Sequence, residues 1–390
     1  MLTRVAIAGY RSLHSLVVPL KRLNVVTGAN GTGKSNLYRA LRLLADTAQG
    51  NVVQSLAHEG GLASTLWAGP EVISRSMKRG DHPVEGTVRR SPIAIRLGFG
   101  GDEFGYFIDL GLPARAQDSR SMFTLDPHIK RECIWHGEQF RPSTLLVDRR
   151  GPIVRFRRDD GVWDAIAQNL APYDSVIARL ADPRNAPEIL TLRDSVRAWR
   201  FYDHFRADLD APSRTPQIGT FTPVLANDGR DLAAAIQTIR EIGDGEGLAA
   251  SIQDAFPDSR VSVQSLSGRF FLEMQQHGLL RPLEAAELSD GTLRYLLWIA
   301  ALMTPRPPEL MVLNEPETSL HPDLLPALGR LIARAANGSQ VIVVSHAVKL
   351  IEEISKQPDC QSIRLEKHFG ETEIANDGAT AAVSWHWPPR

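Results

Sequence analysis

Apolar and polar residues alternate from Leu2 to Ala8, and Gly9-Tyr10-Arg11-Ser12 turns the chain toward a second extended segment ending near Leu20. Leu23–Thr27 is a short apolar run followed by a glycine-rich loop. After it Leu37, Leu41 and Leu44 recur at i, i+4 and i+7, which predicts a helix with one buried face ended by Gly50-Asn51. Residues 51–88 have weak periodicity and predict loops with one short helix over Val53–His58. Ile93–Phe99 and Phe104–Leu110 predict a hairpin across Gly100-Gly101-Asp102-Glu103, and Ile129–Trp135, Leu145–Asp148 and Ile153–Arg157 continue an antiparallel region. Between Tyr173 and Phe205 the pattern turns helical, with Pro183 and Pro187 dividing two helices. Further helices are predicted over Arg230–Ile242, which a Gly-rich run stops, and just before Pro257.

The last third alternates more sharply. A hairpin around Ser267-Gly268 joins Val261–Leu266 to Phe270–Met274, and Gly291–Met303 is a strongly apolar helix. Leu310–Leu313 and Val341–Val344 are continuous apolar runs interleaved with the helices Pro322–Ala336 and Val348–Ile354, which predicts a parallel sheet covered by helices. The tail Ser384–Arg390 is expected to pack on the outside of the fold. Internal repeats and long heptad runs are missing.

Composition changes this picture little. At 390 residues, 43% hydrophobic and 23% charged, the chain reads as a soluble globular protein of two or three lobes. A formal net charge of −1 argues against a uniformly basic, nucleic-acid-coating surface. Two distant cysteines, Cys133 and Cys360, give neither a disulfide framework nor a zinc motif and suit a reducing cytosol. No long uncharged apolar run suggests a membrane span, so a cytoplasmic location is expected.

Candidate chemistry concentrates in four places. Gly28-Ala29-Asn30-Gly31-Thr32-Gly33-Lys34-Ser35 fits the P-loop pattern, with Asn36 following. Glycines let backbone N–H groups curl around phosphates, Lys34 reaches the terminal phosphate oxygens, Ser35 can ligate Mg²⁺, and the following helix points its positive end at the anion. Asn314-Glu315 ends an apolar strand, where P-loop ATPases place a metal-binding acid and then a catalytic carboxylate that orients or deprotonates water. Asn314 offers a neutral carbonyl oxygen in place of a carboxylate, which predicts weaker Mg²⁺ binding and slow turnover. Leu288-Ser289-Asp290-Gly291-Thr292 opens the apolar helix and can form a second anion site at a helix start, although Ser-Asp-Gly is also a plain cap. His346, at the end of Val341–Ser345, can donate to a γ-phosphate oxygen.

Taken together, GANGTGKS, LSDGT, LMVLNEPETSLHP and VIVVSH resemble the ABC-type ATPase heads of the RecF/SMC and OLD-like group, in its compact bacterial AAA-family branch. The motifs cover residues 1–48 and 280–355. The resemblance implies an α/β fold, a P-loop NTPase of ABC-ATPase head type, with a mixed sheet, an antiparallel β subdomain and a helical insertion. The expected divisions are 1–50, 51–165, 166–256 and 257–390. It implies ATP and Mg²⁺ as cofactors and an ATP-dependent homodimer in which Ser289 and Gly291 act in trans, with the Thr318–Asp323 turn at the interface. The GYRSL segment makes Arg11 a candidate nucleotide contact. Departures are Asp290 for the first signature glycine, Asn314 for the usual Asp, and a Q-loop for which Gln168 and Ser175 are only guesses. The chain has neither the long coiled coil of SMC proteins nor room after His346 for the OLD nuclease domain.

Two functions follow. One is an ATP-hydrolysing dimerisation switch acting on DNA or a partner effector, in genome maintenance or defence. Arg149, Arg150, Arg155, Arg157 and Arg158, then Arg193, Arg197 and Arg200 with Trp199 and Tyr202, are its candidate phosphate contacts, the last three arginines falling at i, i+4 and i+7 on one expected helix face. Asp159, Asp160 and Asp194 weaken that reading, and a solvated face is the blander one. The other, motivated by Asn314, is a nucleotide-gated binding module with negligible hydrolysis. A transporter subunit is a third and poorer fit.

Overall fold

The computed structural model describes residues 1–72, 77, 81, 94–113, 122–375 and 384–389. Ile93 and most of the predicted loop between 73 and 88 lie outside them. The chain divides into two compact units, one of Met1–Lys21, Thr27–Trp199 and Ile363–Arg390, the other of Arg22–Val26 and Arg200–Ser362.

Period-two alternation builds the first unit. Eight antiparallel strands lie in the order Leu13–Pro19, Leu2–Tyr10, Ala94–Gly101, Phe104–Gly111, His128–His136, Leu145–Arg150, Ile153–Arg157 and Trp163–Ala167. The N-terminal pair and the later strands meet in this one sheet, with Ile7 opposite Leu97 and, in the predicted hairpin, Phe99 opposite Tyr106. Trp163–Ala167 has no fully buried residue, so it carried no alternation to betray it. The helix Lys34–Gln49 lies between Gly33 and Gly50 and buries Leu37, Leu41 and Leu44. Trp385 and Trp387 of the tail pack on Phe107, Cys133, Trp135 and Leu145.

Inside this unit Glu132 accepts from Tyr106 Oη at 2.7 Å, Ser175 Oγ at 2.6 Å and Val176 N at 2.8 Å, and pairs with Arg149 at 3.3 Å. Arg149 is fully buried and also donates to the carbonyls of Gly151, Ala171 and Asp174. A charge pair survives burial only when its remaining hydrogen-bonding capacity is used, and here every guanidinium nitrogen has an acceptor.

Continuous apolar runs build the second unit. Four strands, Arg200–Tyr202, Leu310–Asn314, Gln340–Val344 and Leu23–Thr27, run parallel in that order. Their register sets Tyr202 opposite Leu313, Asn314 opposite Val344, and Val344 opposite Val26. The helix Asp290–Leu302 is buried continuously from Leu293 to Leu302, as an all-round apolar helix must be. The helices Leu232–Ile242, Gly245–Ala255, Leu325–Ala335 and Val348–Ser355 follow the predicted positions. The hairpin Arg260–Leu266 with Arg269–Gln275 turns at Ser267 and Gly268, both at positive φ.

One expectation fails in the 173–205 region. Only Val176–Arg179 and Pro187–Ala198 are helical, and Arg200–Tyr202 is a strand. Arg193, Arg197 and Arg200 therefore do not share a helix face. The helix stops at Ala198, Trp199 is buried in the first unit with its ring 5.4 Å from that of Phe99, and the next three residues pair as a strand with Met311–Leu313.

Candidate nucleotide-binding site

The loop Gly28–Ser35 leaves the end of the Leu23–Thr27 strand and enters the helix at Lys34. Gly28, Gly31 and Gly33 all have positive φ, +149°, +82° and +107°. At Gly33 a Cβ would also collide with Thr372 Oγ1 and Ser12 Oγ, so space and backbone both demand glycine. Lys34 is buried and its Nζ donates to Gly28 O at 2.7 Å and Ala29 O at 3.2 Å, which holds the ammonium inside the loop. Ser35 is exposed at the helix start, where its hydroxyl is open to a ligand.

A polar chain braces the loop. Asn36 Nδ2 donates to Ser12 Oγ at 2.8 Å, Ser12 Oγ meets Thr372 Oγ1 at 2.7 Å, and Thr372 Oγ1 donates to Thr32 O at 2.7 Å. Thr372 belongs to the C-terminal hairpin of Cys360–His368 and Glu371–Ile374, which the sequence reading did not anticipate. Its signal was present in the alternation of Ile363 and Leu365 before Phe369-Gly370. Arg11, at φ +50°, is engaged with Glu59 at 2.7 and 3.0 Å. Burial first, and then Glu59, hold the neighbouring Tyr10 hydroxyl above its ordinary pKa range.

In the second unit, Asn314 ends its strand and Glu315 N donates to Val344 O at 2.8 Å. Glu315 adopts φ +49°, a conformation costly for a residue with a Cβ and concentrated at functional sites. Asn314 Nδ2 donates to Asp203 Oδ1 at 2.5 Å, while Asn314 Oδ1 is buried with no hydrogen-bond partner among the described residues. An amide oxygen left without a partner is, like a serine hydroxyl, of the ligand type that fits Mg²⁺, which takes oxygen ligands and keeps several of its waters. His346 is exposed, with Nδ1 3.3 Å from Glu317 Oε1. The same Glu317 oxygen accepts from Ser345 Oγ at 2.8 Å, His346 N at 2.9 Å and Ala347 N at 3.2 Å, so this buried carboxylate fixes the backbone that presents His346.

Ser289 is the N-cap of Asp290–Leu302, its Oγ accepting from Thr292 N at 3.2 Å. Behind it the buried Arg214 donates to Ala285 O, Ala286 O, Leu288 O and Asp290 Oδ1, the last at 2.7 Å. Asp290, the departure from the signature, is thus countered by a guanidinium. Gly291 faces Ser319 O, and Arg294 donates to Thr318 O at 3.4 Å, so the signature start and the 318–323 turn adjoin. Burial pulls the Arg294 guanidinium below its ordinary pKa.

Asp203, Glu317, Arg214 and Thr372 were missed by motif reading. Glu317 had a visible signal as the second carboxylate of Glu-Pro-Glu. Asp203 had a faint one as the polar residue after Phe201-Tyr202, and Arg214 had none.

The basic residues fare differently. Arg149 is a core residue, and Trp199 and Tyr202 are buried, which removes them as nucleic-acid contacts. Arg150 pairs with Asp148 and Arg158 with Asp160, while Arg157 donates to Ser143 O and Arg197 to Ala48 O. Ser175, one Q-loop guess, is committed to Glu132. Among the described residues no group of three or more His, Cys, Asp or Glu forms a metal cluster, and no helix is long and apolar enough to cross a membrane.

A parallel-sheet strand that runs into a glycine-shaped loop and then a helix, in an α/β chain of several sheets, defines a P-loop NTPase fold. Residues 23–352 match the family described as "AAA domain, putative AbiEii toxin, Type IV TA system", and the chain belongs to that family. Its fold is similar to an SMC head bound to the C-winged helix domain of ScpA, at TM-score 0.50 and 12% identity over 96% of this chain and 97% of that one. Two further SMC heads align. One has an extended coiled coil and is bound to the C-terminal domain of ScpA derived from Pyrococcus furiosus, at TM-score 0.49 and 12% identity over 96% and 95% of the two chains. The other is from Thermotoga maritima, at TM-score 0.44 and 13% identity over 96% and 98%. No curated protein matches the chain significantly in sequence. The family is thus one of AAA domains, and the fold is that of an SMC head, a P-loop NTPase fold.

Proposed function

We propose that the protein is an ATP-hydrolysing dimerisation switch. The observation that carries this reading is strand register: Val26, Val344 and Asn314 end side by side on one edge of a parallel sheet. The P-loop continues covalently from the first of these, His346 lies two residues beyond the second, and Glu315 follows the third. Lys34 and the backbone N–H groups of Gly28–Ser35 would hold the phosphates, with Asn36 bracing the loop. Ser35 and Asn314 would hold Mg²⁺, which when bound neutralises charge developing on the phosphates. Glu315 would orient the attacking water, and His346 would donate to the γ-phosphate from a backbone fixed by Glu317. Arg11 could join the nucleotide only by exchanging Glu59.

Ser289 and Gly291 would reach the ATP of a second copy across a two-fold axis, closing a head-to-head homodimer. The adjoining 318–323 turn supports that face as the interface. Hydrolysis would then release the dimer. The family description, a putative toxin of a type IV system, favours control of a partner effector over DNA, as does the loss of Arg149, Trp199 and Tyr202 as contacts.

The second reading, a nucleotide-gated module without turnover, is favoured by Asn314 alone. Steady-state phosphate release separates the two. Turnover that Glu315→Gln abolishes supports the switch, whereas a wild-type protein that binds ATP and releases no phosphate supports the module.

A further inference from the structure

We infer that Asp203 supplies the carboxylate that position 314 lacks, and that the Asp203–Asn314 pair together holds the metal shell. This assignment rests on the ATP-site reading above. The strand Arg200–Tyr202 runs parallel to Leu310–Asn314 with Tyr202 opposite Leu313, so Asp203 is the next residue in step with Asn314 on the same sheet edge. Its Oδ1 lies 2.5 Å from Asn314 Nδ2. An ionised carboxylate can only accept, so the amide must turn its nitrogen toward Asp203 and its oxygen away. That oxygen is the buried atom without a partner. The pair therefore places a buried, unpaired amide oxygen beside an exposed carboxylate, with one negative charge between them.

The neutral residue at 314 is intelligible from the same geometry. An Asp there would press two carboxylates together, and one would have to take up a proton or move away. Asn314 and Asp203 thus form a complementary set in which the charge has moved to the neighbouring strand. Mg²⁺ sites use one or two carboxylates together with water and phosphate oxygens, and one carboxylate with one amide oxygen meets that need. The weak metal binding predicted from Asn314 alone is replaced by metal binding that depends on Asp203.

The test is Mn²⁺ binding, followed by electron paramagnetic resonance, to protein saturated with a non-hydrolysable ATP analogue, alongside analogue affinity measured in EDTA. Asp203→Asn, an isosteric change, is expected to weaken Mn²⁺ binding about 10- to 100-fold while leaving the EDTA affinity within about 2-fold. The exchanged variant Asp203→Asn/Asn314→Asp is expected to recover most of the loss, and Asn314→Asp alone to gain nothing over wild type. Unchanged Mn²⁺ affinity in Asp203→Asn, or an exchanged variant as weak as the single one, overturns the assignment while leaving the ATP site intact. A wild-type protein that binds no analogue overturns both.

Discussion

The Gly28–Ser35 loop and the Asn314–Glu317 turn both follow strands of one parallel sheet, but they are built from different materials. The loop is made of backbone: three glycines at positive φ, a lysine held against loop carbonyls, and a hydroxyl chain behind it. The turn is made of side chains gathered from afar, with Asp203 joined to Asn314 and Glu317 reaching Ser345, His346 and Ala347. A backbone cradle has to be encoded in consecutive residues because each φ is local. A carboxylate can arrive from any strand that ends on the right edge, so the turn tolerates a departure such as Asn314 that the loop could not.

Breaking each side separately sharpens this contrast. On the turn, Glu315→Gln is expected to cut phosphate release by about 10²- to 10⁴-fold, the range for a lost general base, with ATP affinity preserved in an equilibrium titration. On the loop, Lys34→Ala is expected to lower affinity for a fluorescent ATP analogue about 100-fold, through loss of charge-assisted bonds worth about 3 kcal/mol. Glu317→Ala leaves the Ser345 hydroxyl and the His346 and Ala347 amides without their acceptor, and thermal unfolding should show a loss of about 2–3 kcal/mol. If the melting point is unmoved while turnover falls, Glu317 acts on the reaction and not on the backbone. The smallest effect belongs to Arg150→Ala, a surface pair partner expected to change stability by less than about 0.5 kcal/mol and ATP affinity not at all.

The same distinction explains what the sequence disclosed. The parallel strands Leu23–Thr27, Leu310–Asn314 and Gln340–Val344, the apolar helix Asp290–Leu302, two hairpins and the P-loop rest on local periodicity or a contiguous motif, and they appear where their residues predict them, whereas the parallel strand Arg200–Tyr202 stands in a stretch that predicts a helix. Asp203 joins Asn314 across 111 positions, and Arg214 reaches the signature start across 76, distances over which no spacing rule operates. The basic face of Arg193, Arg197 and Arg200 failed for a related reason. Its helical spacing was sound, but the helix stops at Ala198 and Arg200–Tyr202 instead pairs as a strand with Leu310–Asn314. Arg149 likewise read as surface charge until Glu132, Ala171 and Asp174 closed around it.

The central claim, an ATP site completed by a second copy, is tested most directly by the mass of Glu315→Gln in solution with and without Mg·ATP, measured by light scattering behind a sizing column. The account predicts a monomer that becomes a dimer when Mg·ATP is added and returns to monomer when nucleotide is removed. A mass that stays monomeric at saturating ATP would contradict it.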